Sequence, residues 1–136
     1  MLRVMPEDHS VKMFGEGETG LLWKIEPNGC LRNKELNTSC LTLADEGDTL
    51  IYMKEETGNN NQHWSFTEDN YLESKVKANS GLTASHLVLD VLWEDDVPMK
   101  NDGASVRGWH KDNTTSQKWD MIAAKEPSNT QAILFQ

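Results

Sequence analysis

The sequence predicts an all-β domain of twelve short strands arranged as three imperfect repeats. Tryptophan recurs in similar company, at Leu21-Leu22-Trp23-Lys24-Ile25, Gln62-His63-Trp64-Ser65-Phe66 and Gln117-Lys118-Trp119-Asp120-Met121. In each case an apolar residue follows two positions on, the alternation of a strand with one buried face. Upstream of each tryptophan stands an apolar-polar-apolar triplet, Leu2-Arg3-Val4, Leu41-Thr42-Leu43 and Leu89-Asp90-Val91. No long segment repeats its apolar residues at the helical period, so helices are expected to be minor.

Taken in order, Leu2–Met5 and Val11–Phe14 open the chain, and Leu21–Ile25 holds the first tryptophan. The second unit supplies Cys30–Glu35, Cys40–Ala44, Leu50–Lys54 and Gln62–Thr67. The third supplies Tyr71–Val76, Leu87–Leu92, Ser105–His110 and Gln117–Ala123, with insertions around Val76–Ser85 and Trp93–Gly103. Leu31 and Leu72 each fall eight residues after a tryptophan, and Arg3 to Phe14 spans the same eleven residues as Thr42 to Met53. The first unit lacks an opening strand, and the apolar tail Ala132–Gln136 is placed beside Leu2–Met5 to complete the set and close a barrel without a free edge. Three units of four strands are the plan of a β-trefoil with pseudo-threefold repeats. One domain is expected over 1–136, with repeats at 1–28, 29–69 and 70–136 and the strand 132–136 completing the first.

Composition narrows function. Thirteen basic residues against 22 acidic give a formal charge of −9, the wrong sign for nucleic acid or an anionic membrane surface. No apolar run is long enough to span a bilayer. The opening MLRVMPEDHS has no signal-peptide core, which leaves a cytosolic chain, a non-classical export route, or a leader removed before this numbering. Cys30 and Cys40 stand ten residues apart, too few cysteines for a disulfide framework. One bridge across a hairpin stays open, and two half-buried thiols in a reducing compartment are the preferred reading. Asn37-Thr38-Ser39 and Asn113-Thr114-Thr115 are formal glycosylation sequons of a kind that chance also produces.

The Gln-any-Trp triplets at Gln62–Trp64 and Gln117–Trp119, joined to Leu89-Asp90-Val91, resemble the repeats of ricin-type lectins. The resemblance spans nearly the whole chain and is strongest in the third unit. It implies a sugar-binding β-trefoil selective for galactose or N-acetylgalactosamine, acting without catalysis or cofactor. A sugar offers a ring of hydroxyls around an apolar C–H face, so a site needs a carboxylate to accept hydrogen bonds, an aromatic ring, and an amide. By the resemblance Asp90 is the carboxylate, Trp109 the stacking ring, and Gln117 the residue that orients the loop. Ser116 stands where the family has Asn, a departure that Asn113 or His110 is expected to offset. Trp93 opens the inserted loop beside Asp90 and is expected to cap the sugar, contact a second subunit, or fold back over the rim.

A second site is expected at Tyr52, Asn61 and Gln62, although Thr42 replaces the carboxylate and Met53 the ring. The first unit, with Arg3, Phe14 and Leu21 at the three positions, reads as structural. Glu94-Asp95-Asp96 with Asp102 is read as a solvated acidic loop, since it lacks the spacing of a calcium loop. His9, His63, His86 and His110 show no metal spacing, and His63 is expected on a strand surface. No nucleophile motif or phosphate loop is present, Gly15-Glu16-Gly17 being followed by Glu18-Thr19 rather than Lys. A non-enzymatic lectin is therefore expected, with terminal galactose or N-acetylgalactosamine glycans as partners and a homodimer for avidity. The competing readings are a protein-binding trefoil, of inhibitor or cytokine-like kind, and the targeting part of a toxin.

Overall fold

A computed structural model describes residues 1–5, 7–14, 20–44, 50–77, 86–92, 104–123 and 133–136. Among them the fold is all-β, with antiparallel sheets and no α-helix. Strands β1 (Leu2–Val4) and β2 (Val11–Met13) form a two-stranded sheet, with Leu2 opposite Met13 and Val4 opposite Val11. The order β11-β12-β3-β4-β5-β6 makes a six-stranded sheet from Met121–Ala123, Ile133–Phe135, Trp23–Ile25, Leu31–Asn33, Leu36–Leu43 and Ile51–Glu55. The order β10-β9-β8-β7 makes a four-stranded sheet from Val106–Trp109, His86–Val91, Leu72–Lys77 and Trp64–Phe66. Single bridges, Lys12 to Ser105 and Leu50 to Arg107, stitch β2 and the start of β6 to the β10 strand.

The core follows from the alternation. Leu2, Met13, Leu41, Leu43, Leu89 and Val91 point inward from the three triplets and their partners, and Trp23, Trp64 and Trp119 close over them. Burying an indole hides its N–H, which must find an acceptor. Each does so on a triplet leucine: Trp23 Nε1 donates to the Leu2 carbonyl at 3.0 Å, Trp64 to Leu41 at 2.8 Å and Trp119 to Leu89 at 3.1 Å. Gly20 sits at φ +81°, its carbonyl accepting from Val4 N at 3.0 Å and from the buried Asn33 Nδ2 at 2.8 Å. A Cβ there would meet the Val4 carbonyl oxygen at 2.3 Å, so only glycine permits the approach.

Several expectations change. The tail strand Ile133–Phe135 pairs with Met121–Ala123 and, through Ile133, with Trp23, rather than with Leu2–Met5. Paired backbone bonds between Asp120 and Gln136 draw it there, while β1 takes β2 as its partner. Gln62 and Gln117 lie on 3-10 turns (Asn60–Gln62 and Thr115–Gln117), because their side chains bond backbone groups that an extended strand would turn away. His63 accordingly ends a turn, half-buried, with an Nδ1 that is buried and unpartnered.

Cys30 and Cys40 are not thiols: their sulfurs are bonded at 2.06 Å across the β4–β5 hairpin, with Cα atoms 5.6 Å apart. Pairing of Arg32 with Cys40 and of Asn33 with Leu36, with a register shift between them, brings the two cysteines within reach. Beside the bridge, Asn28 Nδ2 donates to Glu56 Oε1 at 2.9 Å and Arg32 Nη2 to Oε2 at 3.3 Å. These bonds, that of Asn28 first, hold the Glu56 carboxyl below its usual range. A lowered carboxyl adds stability above its unfolded-state value and loses it as pH falls through the folded one. Asn28→Ala is expected to return the Glu56 midpoint upward in an NMR titration, with little change in stability at neutral pH because the pair is exposed. An unchanged midpoint would mean that the bond does not persist in solution.

Candidate functional site

Cross-strand register builds the site. In the β9–β10 ladder Asp90 faces Arg107, Leu89 faces Gly108 and Val88 faces Trp109. Side chains alternate, so Asp90, Arg107 and Trp109 share one face while Leu89, Val91 and Val106 take the core. Gly108 lets β10 lie close: a Cβ there would stand 2.3 Å from Leu43 Cδ1.

Asp90 is 1% exposed. Arg107 Nε donates to its Oδ2 at 2.8 Å, and Oδ1 is buried without a partner among the described residues. The Arg107 side chain is 24% exposed, and its Cζ lies 3.9 Å from the Trp109 ring centroid. His110 packs beside the same indole, with centroids 5.0 Å apart and planes tilted by 37°. Asp90, Arg107 and Trp109 thus form a stack in which the guanidinium touches carboxylate and ring together. Sequence reasoning passed over Arg107, although strand alternation from Trp109 places it on the face of Asp90.

Gln117 braces the loop that follows. Its Nε2 donates to the His110 carbonyl at 2.7 Å and its Oε1 accepts from Asp112 N at 3.0 Å. Asn113 is exposed at φ +62°, and Thr114 Oγ1 donates to Asp112 Oδ1 at 2.7 Å. Thr114 has one hydroxyl proton, so Ser116 Oγ, 2.9 Å away, is the donor of that pair. Ser116 is therefore buried and engaged in the loop, while His110 and Asn113 remain exposed. Among the described residues no hydrogen bond joins any of the three to Asp90. Trp93, Glu94, Asp95, Asp96 and Asp102, like Gly15 and Gly17, lie outside the described residues.

At the second position Thr42 faces Tyr52, Leu41 faces Met53 and Cys40 faces Lys54. Lys54 therefore occupies the register position of Trp109, not Met53, which sits opposite a core leucine and packs against the core. Thr42 Oγ1 donates to the Cys40 carbonyl at 2.9 Å and accepts from Gln62 Nε2 at 3.2 Å. Gln62 also donates to the Glu55 carbonyl at 2.8 Å and accepts from Thr57 N at 2.6 Å, bracing this loop as Gln117 braces the other. Asn61 is buried and its Oδ1 has no partner. In the first unit Arg3 is buried, with Cζ 4.9 Å over the Phe14 ring, and Leu21 is buried as well.

Cys30, Cys40 and Glu56 bring sulfur and carboxylate atoms within 4.8 Å of one another, but sulfurs bonded to each other offer no thiolate to a metal. No family model matches the chain, and no curated protein matches it.

Proposed function

We propose that the chain is a non-enzymatic β-trefoil lectin whose main site is the Asp90 face of β9 and β10. Support for the trefoil comes from the three indole-to-leucine bonds, the three hairpins β1–β2, β5–β6 and β9–β10 that carry them, and the mutual contact of β2, β6 and β10. The observation that carries the function is the Asp90 carboxylate, held by Arg107 through Oδ2 while Oδ1 is left without a partner. An unsatisfied buried acceptor costs about 1–3 kcal/mol, which a ligand hydroxyl would relieve once the side chains covering Oδ1 move aside. With Gln117 fixing the neighbouring loop, the face suits a hydroxylated ring of the galactose or N-acetylgalactosamine type. Single-site affinity is weak on such a shallow surface, and a homodimer supplies avidity.

A glycan array on the wild type beside Asp90→Asn and Asp90→Ala tests the reading. Binding to galactose-terminated or N-acetylgalactosamine-terminated glycans is expected, with a loss of at least about tenfold in both variants. Binding that survives in folded variants would move the site to Tyr52, Asn61 and Gln62. A folded wild type that binds no glycan would end the lectin reading and leave a protein partner.

A further inference from the structure

One face of the Trp109 ring is taken by Arg107, at 3.9 Å from the ring centroid. Nε of that guanidinium is spent on Asp90, whereas its two terminal nitrogens have no partner among the described residues. The side chain is 24% exposed, and the bond to Asp90 fixes its position.

We propose that Arg107 is the specificity-determining residue of this site and that it selects a sugar bearing a carboxylate, a uronic acid of galactose configuration, over the neutral hexose. The inference rests on the lectin reading of the Asp90 face. A guanidinium anchored at Nε and stacked on an indole is pre-organised to present two parallel N–H donors, the geometry that a carboxylate accepts in bidentate fashion. A neutral hydroxymethyl group makes one weaker bond there and leaves a donor unused. The stacked guanidinium also covers one face of the ring, and a carboxylate bound to it gains affinity that does not depend on stacking. The formal charge of −9 does not forbid an acidic ligand, since exposed charges are screened over about 8 Å at physiological salt while the contact to Arg107 is direct.

Calorimetric titration of the wild type with methyl α-galacturonide and with methyl α-galactoside tests this, because the two differ only at the carboxylate. The galacturonide is expected to bind about tenfold tighter or better. Arg107→Lys, which keeps a charge against Asp90 but lacks the fork, is expected to cut that preference to about threefold or less. Arg107→Gln, whose amide can still donate to Asp90 but carries no charge, is expected to abolish it. Equal affinity of the wild type for both sugars would overturn the inference and leave the lectin reading standing. A preference unchanged in both folded variants would also overturn it, by placing the acid elsewhere. A folded wild type that binds neither sugar would overturn both readings.

Discussion

Trp119→Ala is expected to cost about 4 kcal/mol of stability, seen as a lower urea midpoint at unchanged slope when unfolding is followed by circular dichroism. The side chain is almost fully buried, and removing it deletes a large apolar surface, leaves a cavity, and takes the indole donor from the Leu89 carbonyl. Mutation to phenylalanine separates these effects. Most of the ring remains, the hydrogen bond does not, and a loss of about 2 kcal/mol is expected. Trp64→Ala and Trp23→Ala are expected to cost amounts within about 1 kcal/mol of the first, because each indole makes the same bond to the leucine of its own triplet. That near-equality is what the proposed threefold repeat requires. A loss below about 1 kcal/mol at any one of the three would remove that tryptophan from the core and break the repeat argument.

The recurrence of tryptophan explains what was legible in the sequence. Alternation around Trp23, Trp64 and Trp119 exposed the strands, since a buried strand face must be apolar at every second position. The triplets were legible for the same reason, and Asp90 stood out through the resemblance of its triplet to the lectin repeats. Arg107 was harder to find. Its meaning depends on which residue faces it across β9–β10, and pairing is a long-range property that no local pattern contains.

Register misled in a smaller way at Met53. Counting eleven residues from Arg3 and from Thr42 assumes connections of equal length, yet Phe14 lies two positions past the partner of Arg3, whereas Met53 lies one past the partner of Thr42. A single residue exchanges the core face for the outer one. Gln62 and Gln117 were read as strand because Gln-any-Trp fits alternation. Their amides instead bond backbone groups of the preceding loop, which a 3-10 turn permits. The pairing of the tail with Trp23 and β11 depends likewise on contacts between distant segments.

Reduction of the Cys30–Cys40 bridge is expected to cost about 3 kcal/mol, a drop of roughly 10 °C in Tm for a domain of this size. The cysteines are ten residues apart, and cross-linking a loop of that length removes about that much free energy from the unfolded chain on the entropic model. Both sulfurs sit in the interior, Cys30 being 1% exposed and Cys40 fully buried, so a thiol reductant reaches them only when the hairpin opens. Melting with and without a phosphine reductant should therefore separate only after incubation at elevated temperature. Cys30→Ala with Cys40→Ala should match the reduced protein within about 1 kcal/mol and ignore the reductant. A wild-type Tm that moves by less than about 2 °C, together with two titratable thiols in denaturant before reduction, would mean that the bond does not form. The bridge belongs to the six-stranded sheet and the Asp90 face to the four-stranded one. Reduced protein held well below its Tm is therefore expected to keep its glycan binding, whereas Asp90→Asn should lose binding with the bridge intact. Opposite results from that pair would place the ligand near the β4–β5 hairpin instead. A buried disulfide also persists best in an oxidising compartment, so the native protein is expected to yield no free thiol when denatured without reductant.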